Sequence, residues 1–262
     1  MISFATPENN MSTNRKSKRY LYIAAALVVI LLVFPAVALK LTAPRSIKIH
    51  PPLQTDYLHR MKKVSSAKIK IVRLDRGRIQ LTIGHETIQG VTPEMIVWWF
   101  KNFPEKKIKV NGRVVPWYWL WHPIDHVKVV VIEKEKPGPN GATISPLIEI
   151  HEQMGPGRFM INRGRADKMD ASGTRVSFKL GPIDAGFLEH VFTRVPDGTR
   201  IDTRMALGLN MPVLSHYINF LMRTMTADEP FLRAMIKHIV EEMGNFQFFL
   251  PRLYAEQNRP AR

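Results

Sequence analysis

The chain has 262 residues and is strongly basic, with 38 Lys and Arg against 22 Asp and Glu and a formal net charge of +16. This length suffices for one sizeable core with appendages, and the lack of cysteine excludes disulfide bonds and zinc–thiolate sites, so any metal must be held by His, Asp or Glu. The basic residues are scattered, without a recognition helix or a stacking-aromatic motif, and we therefore predict no nucleic-acid partner.

The N-terminal segment has the pattern of a membrane anchor. Residues 1–19 form a basic tail, and residues 20–39 contain no charged side chain. A helix of that length spans about 30 Å, the thickness of the hydrocarbon core. The basic flank predicts a cytoplasmic tail, a single-pass anchor over residues 20–40 and an exported remainder. The alternative is a secreted protein with a cleaved signal peptide, since Ala36-Val37-Ala38 resembles a peptidase site.

Residues 41–84 are predicted to form a connector and a small N-terminal subdomain. Prolines interrupt the first part, where no hydrophobic period persists. Residues 68–83 then alternate between apolar and charged side chains about Asp75-Arg76-Gly77, which predicts two short strands joined by a turn.

The main domain is predicted to extend over residues 85–257 and to begin with a helix and a hairpin. Thr92 and Pro93 are residue types that favour the N-cap and the first position of a helix. Asn111-Gly112 is a typical two-residue turn, so residues 107–115 are predicted to form a hairpin.

An aromatic and histidine-rich segment follows, with the sequence WYWLWHPIDH over residues 117–126. Aromatic walls with a few convergent polar groups are typical of a pocket for a flat apolar ligand. The alternative is that the rings belong to the core and that each histidine is satisfied by its neighbours. A strand is predicted directly after this segment, over residues 127–135.

The next predicted strand, residues 144–154, carries two carboxylates on opposite faces. Ile148, Ile150 and Glu152 share one face, whereas Glu149 lies on the other. Glu152 is therefore the carboxylate that accompanies the apolar side chains inward. A short strand at FMIN (159–162) and further antiparallel strands follow. In one of these, the imidazole of His190 shares a face with its apolar neighbours.

The C-terminal residues, from Asp228 to Tyr254, are predicted to form one long helix that is capped by Asp228 and ends at Pro251. One narrow sector of this helix contains Phe231, Met235, His238, Glu242, Phe246 and Phe249.

Within that apolar sector, Glu242 needs a strong partner because burial of an unpaired carboxylate costs several kcal/mol. His238 and Glu242 are four residues apart and can reach a single metal ion; the alternative is a hydrogen bond between the two. Glu241 is predicted to be solvated beside Arg233 and Lys237.

Three segments together resemble the 2,4-diacetylphloroglucinol hydrolase and phloretin hydrolase family: WYWLWHPIDH (117–126), EHVFTRVPDGTRIDTRMALG (189–208) and HIVEEMGNFQFFLPRLYAE (238–256). The resemblance covers about residues 85–257. It implies an α+β helix-grip fold, similar to Bet v 1 and START domains, in which a curved antiparallel sheet surrounds a long C-terminal helix. It also implies a zinc-dependent hydrolase that cleaves the carbon–carbon bond between an acyl group and a phenolic ring.

The resemblance also implies roles for particular residues. The metal ligands would be His126, Glu152, His238 and Glu242. The alternatives are Glu149 in place of Glu152 and His122 in place of His126. The ion would be Zn²⁺, although another divalent metal would suit the same donors. His190 and Tyr118 would be catalytic. The substrate, a small aromatic or apolar ketone, would contact Trp117, Trp119, Trp121 and His122. A homodimer is compatible with the family.

Two functions are consistent with these expectations. In the first, metal-activated water attacks a ketone, Tyr118 hydrogen-bonds the substrate, and His190 protonates the leaving ring carbon. In the alternative, the same fold is a non-catalytic, membrane-tethered binding protein for a lipid or another apolar molecule.

Overall fold

The computed structural model describes residues 50–138, 143–155, 158–180, 183–212, 214–225 and 228–259, together with residues 18, 20–23, 29, 33 and 37. The chain divides into two compact units, Met1–Ala43 and Pro44–Arg262. Every described position of the first unit is helical. Among the described residues, no helix is both long and apolar enough to cross a membrane. Most of the predicted anchor, residues 20–40, lies outside the described residues and stays a prediction.

The second unit combines strands and helices. The strands are β1 (Lys68–Arg73), β2 (Ile79–Gly84), β3 (Ile88–Gln89), β4 (Lys107–Val110), β5 (Arg113–Pro116), β6 (His126–Glu133), β7 (Lys136–Pro137), β8 (Thr143–Ile144), β9 (Leu147–Gln153), β10 (Phe159–Asp170), β11 (Gly173–Leu180), β12 (Ile183–Val195) and β13 (Gly198–Leu207). The α-helices of this unit are α1 (Pro93–Asn102), α2 (Tyr118–Trp121), α3 (Ser215–Met225) and α4 (Glu229–Gln257).

Within the described residues, nine of these strands form one antiparallel sheet. Its order is β1-β2-β13-β12-β11-β10-β9-β6, and β3 pairs with the start of β13. The face that carries Leu81, Ile83 and Ile201 belongs to the same hydrophobic core as Met243 and Phe246 of α4. A large antiparallel sheet with a long C-terminal helix confirms the predicted α+β class.

The predicted boundary at residue 84 is wrong. Strands β1 and β2 pair with each other, and β2 also pairs with β13 in the main sheet. The reason is the strict alternation of β2, in which Ile79, Leu81 and Ile83 are buried while the residues between them are not. This apolar face is buried only by joining the main core, so these strands are part of the larger unit.

Two local predictions near the start of the main domain are confirmed. The Thr92 hydroxyl accepts a hydrogen bond from the Met95 amide at 3.4 Å, and Pro93 occupies the first position of α1. Strands β4 and β5 pair about Asn111 and Gly112, whose φ angles of 48° and 80° are those of a tight hairpin turn.

Helix α4 begins as predicted but ends later. The Asp228 side chain accepts a hydrogen bond from the Phe231 amide at 2.9 Å and caps the helix. The expected end at Pro251 is wrong, because the helix continues to Gln257. Leu250 and Leu253 are both buried on either side of the proline. Their packing holds the helix together although the proline removes one backbone hydrogen bond.

Other segments differ in extent from the predictions. The short strand predicted at residues 159–162 is the beginning of the 12-residue strand β10. Helix α3 is an addition to the predicted elements; Ser215, its first residue, hydrogen-bonds through its hydroxyl to the amide and the carbonyl of Met211.

We expect Asp228→Ala to lower the free energy of unfolding by about 1–2 kcal/mol, because it removes the N-cap of α4. It also removes a bidentate ion pair in which Arg158 Nη1 and Nη2 lie 2.6 and 2.9 Å from the carboxylate. Asp228→Ser keeps a capping oxygen and should recover most of the loss, since exposed ion pairs contribute little. Urea denaturation of the three proteins measures this; equal losses for Ala and Ser would contradict the capping role.

Candidate metal centre

The four predicted ligands come together between the edge of the sheet and α4. His126 begins β6 and is paired with Glu152 on the neighbouring strand β9. His238 and Glu242 lie one turn apart on α4, and all four side chains are buried. One donor atom from each residue lies within 4.8 Å of the donor atoms of the other three.

The donor spacing within this metal centre fits a small divalent cation. His126 Nε2 lies 3.4 Å from Glu152 Oε1 and 3.3 Å from Glu242 Oε2. His238 Nε2 lies 3.6 Å from Glu242 Oε2 and 3.9 Å from Glu152 Oε1. Donors placed tetrahedrally about 2.0–2.2 Å from a zinc ion are roughly 3.3–3.6 Å apart. The side chains therefore need little movement to share one ion.

The hydrogen bonds of the two imidazoles leave their inward nitrogens unpaired. His126 Nδ1 bonds to the Tyr118 carbonyl at 2.9 Å, and His238 Nδ1 bonds to Asp125 Oδ2 at 3.0 Å. Both Nε2 atoms are buried, and neither has a hydrogen-bond partner among the described residues. A neutral imidazole that donates from Nδ1 can only accept at Nε2, and a carboxylate can only accept. Two such nitrogens facing two carboxylates are the donor set that a cation satisfies.

Without a metal ion, protons take the place of a cation. Burial raises the pKa of Glu152 and raises that of Glu242 well above its usual range. Burial also holds the pKa of His126 well below its usual value. For His238, burial lowers the pKa, but the hydrogen bond to Asp125 and the charges of the two glutamates outweigh it and raise the pKa to about 9. At neutral pH, a metal ion must therefore displace at least one proton.

Tyr118 holds two of the four ligand residues. Its carbonyl accepts from His126, its ring stacks on that imidazole with centroids 3.8 Å apart, and its hydroxyl donates to Glu152. Burial and the Glu152 charge raise the pKa of the phenol well above its usual value, so the hydroxyl remains a donor. In this structure the Tyr118 hydroxyl bonds to Glu152, a candidate metal ligand, and its predicted hydrogen bond to substrate stays a prediction.

Both alternative ligands are engaged elsewhere. Glu149 lies on the other face of β9, where its carboxylate is 2.6 Å from His151 and 2.5 Å from Arg163. His122 accepts the Asp125 amide on Nδ1 at 3.0 Å and lies 3.2 Å from Glu241 through Nε2. The geometry therefore favours Glu152 over Glu149 and His126 over His122.

The prediction that Glu241 is solvated is wrong. Its side chain is buried and lies 3.2 Å from His122 Nε2 and 2.6 Å from Lys237 Nζ. Burial raises the pKa of Glu241, but these two partners outweigh that effect and lower it below the usual value. The helical period placed the residue beside Lys237 correctly, but it could not show that His122 covers it from the opposite side.

The contacts of the three tryptophans separate their roles. Trp117 is buried and stacks on Trp99 with centroids 5.8 Å apart. Trp119 donates from Nε1 to a backbone carbonyl and stacks on His50, whose Nε2 lies 2.6 Å from the carbonyl of His126. Both rings are therefore used for packing, and their predicted contact with substrate stays a prediction. Among the described ring contacts of the three tryptophans, that of Trp121 reaches a candidate ligand: its ring centroid lies 5.0 Å from that of His126, in an edge-on arrangement.

His190 lies in a different polar cluster on the same face of the sheet. Its Nδ1 is 2.8 Å from the Thr203 hydroxyl, which is also 2.9 Å from His85 Nε2. In the sheet, His190 is paired with Thr174 on β11, and Thr174 is paired with Met169 near the end of β10. Glu152 is paired with Met160, near the beginning of β10. The two sites therefore lie at opposite ends of this strand. None of the described contacts of His190 reaches the metal centre. The structure therefore does not bring the predicted proton donor into contact with the four candidate ligands.

No protein-family model and no curated protein matches the sequence. Solved structures with weak similarity include a START superfamily protein from Mycobacterium smegmatis, with 10% identity, coverage of 67% of this chain and 98% of that chain, and a TM-score of 0.38. A protein of unknown function from Staphylococcus aureus has 11% identity, coverage of 69% and 97%, and a TM-score of 0.38.

A further similar structure is a di-domain ARO/CYC protein from the steffimycin biosynthetic pathway. It has 12% identity, coverage of 63% of this chain and 51% of that chain, and a TM-score of 0.34. TM-scores this low establish neither the fold nor the function of this chain, which rest on its own topology and side chains.

Asp125 was not predicted to have a role, although it lies at the metal centre. It hydrogen-bonds the outer nitrogen of His238. Its position directly before His126 was the available signal, since a metal-binding imidazole commonly donates its outer N–H to a carboxylate. The spacing alone did not show which histidine it would reach.

We expect zinc binding at pH 7 to release at least one proton. The pKa of His238 is about 9 in the metal-free protein, so protons and metal compete for the same lone pair, and the apparent affinity should rise as the pH is raised toward 9. Calorimetric titration in two buffers with different ionisation enthalpies measures the release. His238→Gln should reduce it, and a binding enthalpy that is the same in both buffers would contradict the prediction.

We expect acid to destabilise the protein partly through His190. Burial lowers the pKa of His190 to about 3 and that of His85 to about 4. The unfolded chain therefore takes up these protons first, so the free energy of unfolding falls as the pH drops from about 6.5 toward these values. His190→Gln should flatten this decline by a few kcal/mol, measured by urea denaturation from pH 7 to 4. The exposed His216→Gln is the control; equal slopes would contradict the prediction.

Proposed function

We propose that this protein is a metal-dependent hydrolase that cleaves the carbon–carbon bond between an acyl group and an aromatic ring. The observation that carries the proposal is the buried set of two carboxylates and two imidazoles whose Nε2 atoms have no hydrogen-bond partner in the described part of the chain. These four residues are the positions at which the resemblance to the diacetylphloroglucinol and phloretin hydrolases places the metal ligands.

His126, Glu152, His238 and Glu242 would hold the ion. Two neutral imidazoles and two carboxylates balance the charge of a divalent cation, and zinc is the ion implied by the resemblance, although these donors also suit other divalent metals. When bound, zinc supplies Lewis-acid polarisation of a carbonyl and lowers the pKa of water. The protein residues orient these donors and exclude water from them, since all four are buried.

The aromatic part of the substrate would lie along the core face of the sheet. Trp121 supplies a ring edge beside His126. The ring carbon needs a proton when the bond to the acyl group breaks, and the resemblance assigns that step to His190, on the same sheet face. A substrate that extends from the metal centre along this face would have to reach His190, whose Nδ1 is hydrogen-bonded to the Thr203 hydroxyl.

In this proposal the protein acts at a membrane. Residues 20–40 would anchor it, with the catalytic unit exported, or the unit would be secreted after cleavage of the same segment. A small aromatic or apolar ketone is the proposed substrate class, and the protein could act as a monomer or a homodimer.

A binding protein for a lipid or other apolar molecule is the second candidate. The observation in its favour is that His190 contacts Thr203 and that Trp117 and Trp119 pack elsewhere. The set of catalytic groups expected around the metal is thus smaller than the resemblance implies. In this reading the four buried polar residues would anchor a polar head group.

Metal analysis combined with a ketone assay tests the proposal. We expect about one zinc ion per purified chain, loss of the metal in a His238→Ala/Glu242→Ala double variant, and hydrolysis of acylphloroglucinol-type ketones only by the metal-loaded protein. Glu149→Gln is the matched control, because this carboxylate lies on the opposite face of β9. A folded, metal-free protein that copurifies with an apolar ligand would refute the hydrolase and support the binding protein.

A further inference from the structure

A second histidine–carboxylate group lies directly behind the metal centre and consists of His122, Asp125 and His238, all buried. We propose that it is the support of the metal centre rather than a second metal site, and that Asp125 is the positioning residue that fixes the ring orientation and tautomer of His238. This inference rests on the proposed metal centre and adds a residue that the resemblance does not assign.

The nitrogen atoms of this group are already used, which argues against a second ion. His122 Nδ1 accepts the backbone N–H of Asp125 at 3.0 Å, so its proton is on Nε2, which faces Glu241 at 3.2 Å. His238 contributes Nδ1 to Asp125 and directs Nε2 at Glu242 and Glu152. No neutral imidazole of the group has a lone pair left for another ion.

The carboxylate of Asp125 determines which nitrogen of His238 faces the metal centre. Asp125 Oδ2 lies 3.0 Å from His238 Nδ1 and 3.6 Å from His122 Nε2. Because an ionised carboxylate only accepts, His238 carries its proton on Nδ1 and presents the lone pair of Nε2 to the metal centre. A carboxylate bonded to the outer nitrogen of a ligating imidazole also raises the basicity of that ligand.

The backbone of Asp125 connects the turn before β6 to strand β9, which carries Glu152. Its carbonyl accepts from the Gln153 amide at 2.8 Å, next to Glu152, and its own amide bonds to His122. The residue that follows it is the ligand His126. One residue thus connects the start of β6, the end of β9 and helix α4.

His122, the remaining member of this group, is connected to helix α4. His122 reaches Glu241, which is 2.6 Å from Lys237, and both of these residues are on α4 beside His238. The path from His238 through Asp125 and His122 therefore closes on α4, and it restrains both the ring and the helix that carries it.

Metal affinity of full-length variants tests the role of Asp125. Asp125→Asn keeps the shape of the side chain but removes its charge, and we expect zinc and cobalt to bind about 10–100-fold more weakly, as is usual for the partner of a metal-bound imidazole. Competition titration against a chromophoric chelator measures this. Glu149→Gln makes the same change of charge on the opposite face of β9, where the side chain contacts His151 and Arg163. It is the matched control and should bind almost as tightly as the unmodified protein.

A double-variant cycle shows whether Asp125 acts through His238. In a His238→Gln background, Asp125→Asn should cause little further loss of cobalt affinity, because the residue it positions is absent. A loss of the same size in both backgrounds would overturn the inference. The visible spectrum of bound cobalt gives a second readout, because a misoriented imidazole changes the ligand field, whereas a purely structural weakness leaves the spectrum of the bound fraction unchanged.

The outcomes distinguish this inference from the proposed function. If the unmodified protein binds neither zinc nor cobalt, the metal centre itself is refuted. If it binds and Asp125→Asn binds equally well, only the role of Asp125 is refuted. Should Asp125→Asn fail to fold, Asp125→Glu replaces it, since it keeps the carboxylate but displaces it by one methylene; weaker cobalt binding by the folded variant supports the inference, and unchanged binding overturns it.

Discussion

The structure depends on how it accommodates two carboxylates in its interior. Glu152 and Glu242 are buried in a place where isolated negative charge costs several kcal/mol or more. The pKa values of both glutamates are raised in the metal-free state, because burial penalises their charged forms. Two imidazoles, each held by an outer hydrogen bond, face these carboxylates. The paired strands β6 and β9, the turn before β6 and helix α4 hold these four groups together.

The elements with strong local signals were predictable from sequence. The cap at Asp228, the helix start at Thr92 and the hairpin at Asn111-Gly112 each depend on residue types whose backbone preference is local, and all three are confirmed. The convergence of His238 with Glu242 followed from the helical period alone. The membership of β1 and β2 in the main sheet did not, because strand pairing across more than a hundred residues leaves no local trace.

The convergence of the four candidate ligand side chains was predictable from the sequence, whereas the contacts around them were less so. Alternation along β9 was enough to direct Glu152 inward and Glu149 outward, because a strand has only two faces. Which ring of an aromatic-rich turn meets the metal centre has no such rule. Trp121 does so and Trp119 does not, because the short helix α2 rotates successive side chains by about 100°. The role of Asp125 required knowledge of both of its neighbours in space.

The four candidate ligands come from three segments that are far apart along the chain, one at β6, one at β9 and one on α4. Closing such distant segments costs chain entropy before any contact between them compensates for it. The centre consequently cannot exist in a partly made chain that lacks α4. An ion bound there would act as a late cross-link between the first and last parts of the domain, so the supply of metal would govern how long the finished protein survives.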